Sequence, residues 1–205
     1  MERPLLSVLV CTIGNRKHQF KNLDKKIRSQ LTTEVEYLVN FDYGKYSIGY
    51  KREELKLQST GRYIVYIDDD DHISRNYIKN ILHVIKTNKP DAVSIKCLYT
   101  VNFSNKSYFI ATNKIPLKDS KNTSYRPIGH LNPVKREISI KAPFPDLYYG
   151  EDRGYTEGIK PFIKKEILAP GTLYWYDYRP NQSESIQKDI AQKSIGLRLI
   201  ESDLL

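Results

Sequence analysis

The sequence predicts an α/β fold in which a mostly parallel sheet is flanked by helices. Two observations support this prediction: short runs of apolar, β-branched residues alternate with segments of helical periodicity, and the connections between them are short. A chain that repeats strand, helix and strand forms a parallel sheet, because parallel neighbours need a crossover connection. With 205 residues, 40% of them hydrophobic, the chain can bury one sizeable core. We therefore expect a single domain over residues 1–205.

The first half of the chain contains the clearest elements. Phe20, Leu23 and Ile27 recur at helical spacing and mark an amphipathic helix. Gly61 suits the C-terminal cap of the second helix, and Ser74 suits the N-terminal cap of the third. The predicted elements are strands over 5–11, 37–41, 62–67 and 92–99 and helices over 16–30, 51–59 and 75–88.

The second half follows a looser pattern. Residues 112–125 are polar, rich in lysine and without periodicity, which predicts a loop over the ligand crevice. A helix over 151–162 should break at Pro161. The remaining predictions are strands over 107–111 and over 166–178, the latter around Gly171, and a helix over 186–200.

The net charge of +9 is concentrated in the middle of the chain. Residues 72–145 carry 13 Lys and Arg against 3 Asp and Glu, whereas the segments on either side are close to neutral. A solvated lysine-rich face explains such a run, and a phosphate-bearing partner such as a nucleic acid is the alternative.

The cysteines and the apolar runs bear on the expected compartment. Cys11 and Cys97 each lie within an apolar run, which indicates two buried, reduced thiols rather than a disulfide or a metal site. The apolar run over 5–11 is too short to span a membrane and does not resemble a signal peptide. We expect a cytoplasmic protein without a membrane span.

Four consecutive acids, Asp68 to Asp71, follow the third predicted strand directly. Ligands of parallel α/β sheets bind outside the carboxyl ends of the strands, where this run lies. Like charges at this spacing repel one another, and a divalent cation relieves the repulsion. Mn²⁺ and Mg²⁺ prefer carboxylate oxygens and bridge them to substrate phosphates. The alternative is a solvated acidic turn in front of the third helix.

These residues also carry a family resemblance. Ser47–Arg52 and Ser59–Asp71 resemble the central signature of family 2 glycosyltransferases of the GT-A fold, in which a basic helix precedes a strand ending in D-x-D-D. Thr12–Arg16 resembles the family's opening segment, and Gly150–Asp152 its later E-D motif. The resemblance covers residues 5–180 and implies a Rossmann-like GT-A domain. Residues 1–100 would then form the nucleotide-sugar-binding half and residues 101–205 the acceptor-binding half.

The resemblance implies roles for individual residues. The donor would contact Thr12, Arg16, Asp42, Lys51, Arg52, Asp68 and Asp69, and Arg179 would close over its diphosphate. The metal, Mn²⁺ or Mg²⁺, would be held by Asp70 and Asp68, and Asp152 would be the catalytic base with Glu151 as its neighbour. A metal stabilises the leaving diphosphate, while a carboxylate deprotonates the attacking hydroxyl, giving transfer with inversion. The alternative to these roles is that Arg179 is an ordinary solvent-exposed arginine. Glu151 and Asp152 would then be acidic residues that stabilise the N-terminus of a helix.

Two departures limit what the resemblance implies. The second strand ends Asn40-Phe41-Asp42-Tyr43, where the family has paired acids, so the UDP-sugar donor is expected from family habit alone. The Q-x-x-R-W element of processive, membrane-bound members is absent, which favours a single-addition enzyme.

The acceptor side is placed by the resemblance on His130, Asn132, Lys135 and Arg136. The acceptor would be a glycan or small molecule, or a hydroxymethylated pyrimidine in DNA, since lysines alternate with aromatic residues in the basic segment. His130 is otherwise an ordinary hydrogen-bonded histidine. Two rival functions are a nucleic-acid-binding module and a sugar-phosphate nucleotidylyltransferase, although the latter needs a glycine-rich loop after the first strand and Thr12–Lys17 has one glycine.

Overall fold

The computed structural model of the chain describes residues 3–114 and 122–179. They form strands, helices and two short 3₁₀ turns, Gly14–Arg16 and Lys160–Phe162. The strands are β1 (Leu6–Ile13), β2 (Val35–Asp42), β3 (Tyr63–Tyr66), β4 (His72–Ile73), β5 (Ala92–Val101), β6 (Ser104–Ala111), β7 (Thr123–Arg126), β8 (Val134–Lys135) and β9 (Glu166–Tyr178). The helices are α1 (Lys17–Arg28), α2 (Ile48–Gln58), α3 (Tyr77–Asn88), α4 (Arg136–Ser139) and α5 (Glu151–Ile159).

The strands form one sheet in the order β2-β1-β3-β8-β5-β6-β7, with β9 paired to β5 and β4. β1 is parallel to β2 and β3, whereas β5 is antiparallel to both β6 and β8. The predicted α/β class is confirmed, but the sheet is more mixed than predicted. The reason is local for β5 and β6, which are joined by Asn102 and Phe103 at φ of 48° and 60°. Such a turn folds the chain into an antiparallel hairpin.

Most predicted elements are found within a few residues of their expected bounds. α5 ends at Ile159 and continues as a 3₁₀ turn containing Pro161, as the proline predicts. The very short β4, β8 and α4 were not predicted, and β7 occupies part of the segment predicted as a loop. The helix predicted over 186–200 lies outside the described residues.

Two predicted helix caps are wrong. Gly61 has no left-handed conformation; its N–H donates to Ser7 Oγ at 2.9 Å, and a Cβ there would lie 2.4 Å from that oxygen. Glycine is therefore required for close approach to β1. Ser74 Oγ has no hydrogen-bond partner among the described residues, and Gln30 Oε1 instead accepts from Ile78 N at the start of α3.

The core is divided by the sheet into two apolar clusters. Alternate residues of β1 point to opposite faces: Leu6, Val8 and Val10 pack with α1 and α3, while Leu9 and Cys11 pack with α2, α4 and α5. Both faces of the central strands are thus covered, and the carboxyl ends of β1 and β3 remain as the place where a ligand can reach the sheet.

The two cysteines are buried free thiols, as predicted. Burial raises the pKa of the Cys11 thiol to about 12, so this group stays protonated. Within residues 3–114 and 122–179, no helix has the length and hydropathy needed to cross a bilayer.

Candidate active site

A cavity of about 590 Å³ opens at the carboxyl ends of β1 and β3, a size typical of small-molecule sites. It collects side chains that are far apart in the sequence, from the first strand to the last. The predicted site residues in its wall are Thr12, Arg16, Lys51, Arg52, Asp68, Asp69, Asp70, His130, Glu151, Asp152 and Arg179. The fold therefore brings the four-aspartate run and the Glu151-Asp152 pair into one cavity, as the sequence analysis predicted.

Arg52 connects these two acidic groups. This α2 side chain is only 5% exposed and donates to Asp68 Oδ1 and to Glu151 Oε1, each at 2.6 Å. Although burial disfavours its charge, Asp68 and Glu151 raise the pKa of Arg52 above its usual value. The guanidinium fork suits such a bridge, because it presents several N–H donors in one plane. Arg52 thus fixes the start of α5 against the end of β3.

Arg16 binds the middle of the acidic run. It belongs to the 3₁₀ turn after β1, and its Nη1 lies 2.8 Å from Asp69 Oδ1 and 3.3 Å from Asp70 Oδ2. Its contacts neutralise part of the repulsion between the two neighbouring carboxylates.

The four aspartates have different environments. Burial acts to raise the pKa of Asp68, but Arg52 and His130 outweigh it and lower the pKa. Burial raises the pKa of Asp69 to about 6, with Arg16 opposing the rise and Asp70 adding to it. Burial and the other acids raise the pKa of Asp71 well above its usual value.

Asp71 has a structural partner. Its Oδ2 accepts a hydrogen bond from Tyr174 Oη at 2.8 Å, and the same hydroxyl accepts from Asp68 N at 3.1 Å. Tyr174 is buried on β9. This pairing ties the acidic run to β9 and occupies one oxygen of Asp71 at the cavity wall.

The donor set fits a divalent metal held jointly with a substrate. Asp69 is buried in the cavity wall beside Thr12, and the Asp70 side chain is 39% exposed. The described residues contain no group of three or more potential ligands in position for a metal. One or two carboxylates are what Mg²⁺ takes from a protein when phosphates and water complete its shell. Asp68 fits less well, because Arg52 and His130 already contact its two oxygens.

Asp152 and Glu151 differ in what they can do. Glu151 is buried against Arg52, whereas the Asp152 side chain is 49% exposed in the cavity wall. Asp152 Oδ2 lies 3.9 Å from His130 Nδ1, and His130 Nε2 lies 3.4 Å from Asp68 Oδ2. His130 therefore lies between the acidic run and Asp152. Of the two acids, Asp152 is the one positioned to receive a proton from a ligand.

Asp42, which was predicted to contact the donor, instead binds two residues that line the cavity. Asp42 Oδ1 accepts from Lys51 Nζ at 2.9 Å and Oδ2 accepts from Tyr46 N at 2.9 Å. Asp42 does not line the cavity, but Lys51 and Tyr46 do. Lys51 also donates to the Thr12 carbonyl at 3.3 Å. Asp42 thus positions the loop and the lysine that face the cavity.

Three of the four predicted acceptor residues do not reach the cavity. Asn132 is buried and donates to the carbonyls of Val93 and Ala111. Lys135 pairs with Asp91 at 2.8 Å, and Arg136 donates to the Ser59 carbonyl. Because β8 lies inside the sheet, between β3 and β5, its residues serve the sheet and the adjoining α4. Among the four, only His130 lines the cavity.

Several cavity residues were missed by the sequence analysis. They are aromatic or basic residues in segments without a strong pattern: Tyr46, Arg126, Tyr148, Tyr149, Tyr176 and Tyr178. The tyrosines of Leu147-Tyr148-Tyr149 precede the E-D motif directly, and that position was the available signal. No sequence signal pointed to Arg126, because it directly follows a polar segment that was predicted to be a loop.

Three aromatic residues of the basic segment, Phe103, Tyr108 and Phe109, make cation–π contacts with Lys or Arg side chains of the chain itself. Lys96 Nζ lies 4.4 Å from the Tyr108 ring centre, and Arg179 lies 4.7 Å from that of Phe103. Phe109 is buried beneath Arg126. Phe103 nevertheless keeps 53% of its surface exposed, so these contacts leave part of the aromatic surface of the segment open.

The fold is shared with solved structures of one bacterial protein. The chain matches S. aureus TarS at 14% identity and a TM-score of 0.61, covering 85% of this chain and 37% of TarS. It also matches TarS 1-349 in complex with UDP-GlcNAc (14% identity, TM-score 0.61, 87% of this chain and 60% of that one). The complex of TarS 1-349 with UDP matches at 15% identity and a TM-score of 0.62, covering 86% of this chain and 61% of that one.

The chain thus spans between about a third and three-fifths of these TarS chains. No protein-family model matches the sequence, and no curated protein matches it significantly. At this identity the likeness establishes the architecture. The GT-A fold expected from the sequence is confirmed as the fold of this chain.

Proposed function

We propose that the chain is an inverting glycosyltransferase that moves a sugar from a UDP-sugar to an acceptor hydroxyl with the aid of Mn²⁺ or Mg²⁺. The observation that carries the proposal is the meeting of the Asp68–Asp71 run and Asp152 in one cavity at the strand ends. The same fold holds UDP-GlcNAc and UDP in TarS 1-349, which supports a nucleotide-sugar donor.

On the donor side, the chain offers groups suited to a nucleotide diphosphate. Thr12 Oγ1 is buried in the cavity wall beside Asp69, and we expect it to donate to a ligand there. Lys51, Arg16 and Arg179 supply positive charge around the same cavity. Arg179 is held by Asp177 at 2.8 Å, which keeps its guanidinium at the cavity wall.

A divalent metal on Asp69 and Asp70 would supply positive charge to the leaving diphosphate. On the other side of the anomeric carbon, Asp152 accepts the proton of the acceptor hydroxyl as its oxygen attacks. The new carbon–oxygen bond forms while the bond to the diphosphate oxygen breaks, so the anomeric configuration inverts. Arg52 and Glu151 hold Asp152 in place through the start of α5.

Donor binding is tested by thermal shift. A ligand that binds only the folded chain raises the melting temperature. We expect a metal-dependent rise with a UDP-sugar that exceeds the rise with GDP-, CDP- and TDP-sugars, and a smaller rise in Asp70→Asn. No metal-dependent rise with any of these donors would refute the donor site.

Catalysis is tested separately by UDP release from a UDP-sugar in the presence of candidate acceptors. Asp152→Asn should lower the rate by about 10²–10⁴-fold, the usual contribution of a general base, while leaving UDP affinity unchanged. Glu157→Gln, an exposed carboxylate on the same helix, is the matched control and should have no effect. Equal rates in the two variants would exclude Asp152 as the base. The acceptor panel includes glycans, small alcohols and hydroxymethylated DNA.

A further inference from the structure

Arg126 differs from the other cations of the cavity. Arg16, Lys51, Arg52 and Arg179 each pair with a carboxylate within 3 Å. Arg126, the last residue of β7, lines the same cavity and is exposed, yet it has no carboxylate partner among the described residues. Its positive charge is thus available to a ligand.

Aromatic rings hold this guanidinium in place. Its central carbon lies 4.2 Å from the ring centre of Phe109, 5.6 Å from that of Tyr99 and 5.8 Å from that of Tyr176. Cation–π contacts use the face of the guanidinium and leave the N–H groups at its edge unused. An arginine fixed in this manner is suited to two parallel hydrogen bonds with a phosphate.

The sheet order assigns Arg126 to the acceptor side. β2 and β7 are the opposite ends of the strand order, with Lys51 and Asp42 near the β2 end and the acidic run after β3 between them. A donor that extends from the β1 and β2 ends to the acidic run leaves the β7 end for the acceptor. His130, which faces Asp152, follows Arg126 by four residues.

We propose that Arg126 forms a phosphate-binding subsite, with the Tyr176 ring beside it, and that the acceptor is a hydroxyl compound that carries a phosphate group. This inference rests on the proposed function, since it names the acceptor class of the same cavity. Among the described Lys and Arg of residues 72–145, Arg126 is the one that lines the cavity, and the edge of its guanidinium matches the oxygens of a phosphate. The phosphate anchors the acceptor while its hydroxyl reaches Asp152.

The test is an NMR titration with methyl phosphate on the full chain saturated with UDP and Mg²⁺, so that the donor site is filled. We expect saturable shifts at β7 amides, with affinity about tenfold weaker in Arg126→Gln, the loss of a contact to a charged group. Arg126→Lys should retain part of the affinity. Lys96→Gln removes a cation stacked on a ring outside the cavity and should bind like the native chain.

The outcomes separate this inference from the proposed function. UDP affinity reports on the donor site alone. If UDP fails to bind, the titration without UDP still compares the methyl phosphate affinity of Arg126→Gln with that of the native chain. Equal methyl phosphate affinity in Arg126→Gln and the native chain would overturn the subsite. Acetate binding as tightly as methyl phosphate would overturn its preference for phosphate.

Discussion

The buried bridge made by Arg52 leads to a quantitative prediction about stability. In Arg52→Met the side-chain volume is largely kept, but Asp68 and Glu151 lose the guanidinium that lies 2.6 Å from each. Removing one partner of a buried ion pair costs about 3–5 kcal/mol, because the remaining charge stays in a poorly hydrated site. The Asp68 side chain is 28% exposed, so water can partly solvate the charge that Arg52 leaves unpaired. We therefore expect a loss of stability at the lower end of this range, about 3 kcal/mol.

Urea unfolding at pH 7 measures this loss, with Arg28→Met as the matched control. Arg28 is 61% exposed and pairs with Asp24 on the same helix, so its removal should cost much less than that of Arg52. For a chain of this size about 3 kcal/mol corresponds to about 6–12 °C in melting temperature. The double variant Arg52→Met with Glu151→Gln should lose less than the sum of the single variants, since one buried charge is removed with its partner.

The reasoning would be refuted by a cost for Arg52→Met below about 1 kcal/mol, the range of an exposed pair. Such a result would mean that Asp68 and Glu151 are already compensated by water or by other groups. A merely additive double variant would show that Arg52 and Glu151 do not interact.

Three further predictions concern stability. Burial acts to raise the pKa of Asp91, but Lys135 and two backbone N–H groups outweigh it and lower the pKa. The ionised Asp91 therefore stabilises the fold at pH values above its unfolded pKa of about 3.9, and this contribution is lost as the pH falls through its folded pKa. Asp91→Asn should thus lower the melting temperature at pH 7, and the difference from the native chain should vanish as the pH falls below the folded pKa of Asp91. Gly61→Ala should cost about 1–3 kcal/mol in urea unfolding, because its Cβ meets Ser7 Oγ and N at 2.4 and 2.6 Å. Tyr77→Phe should not lower the midpoint of urea unfolding, since the buried Tyr77 hydroxyl has no partner among the described residues.

The local pattern was enough for the elements that carry their own periodicity. β1 and α3 are nearly as predicted, because their side chains are apolar at the spacing of a buried strand and of a helix face. β4 and β8 have two residues each and cannot be recognised, since their conformation depends on pairing with β9, β3 and β5. The hairpin between β5 and β6 depends on Asn102 and Phe103 at positive φ, which their residue types only weakly favour.

The candidate site was predicted to a similar degree. The aspartate run and Asp152 were found because unusual acids at a strand end and at a helix start are visible in the sequence. Asn132, Lys135 and Arg136 were assigned because their segment precedes the Asp152 region, and the structure turns all three away from the cavity. Adjacent residues leave a short, buried strand in opposite directions, so closeness along the chain is a poor guide to a shared site there.

By itself the sequence identified many of the charged residues that line the candidate site: a run of carboxylates at a strand end, a second acidic pair near residue 152, and the cations Arg16, Lys51 and Arg52. Only the tertiary structure decided their partners. Arg52 joins two acids 99 and 16 residues away, and Arg126 reaches the cavity without a carboxylate partner in the described part of the chain. Ion pairs and cation–π contacts act over a few ångströms, and those distances are set by how the sheet brings distant segments together.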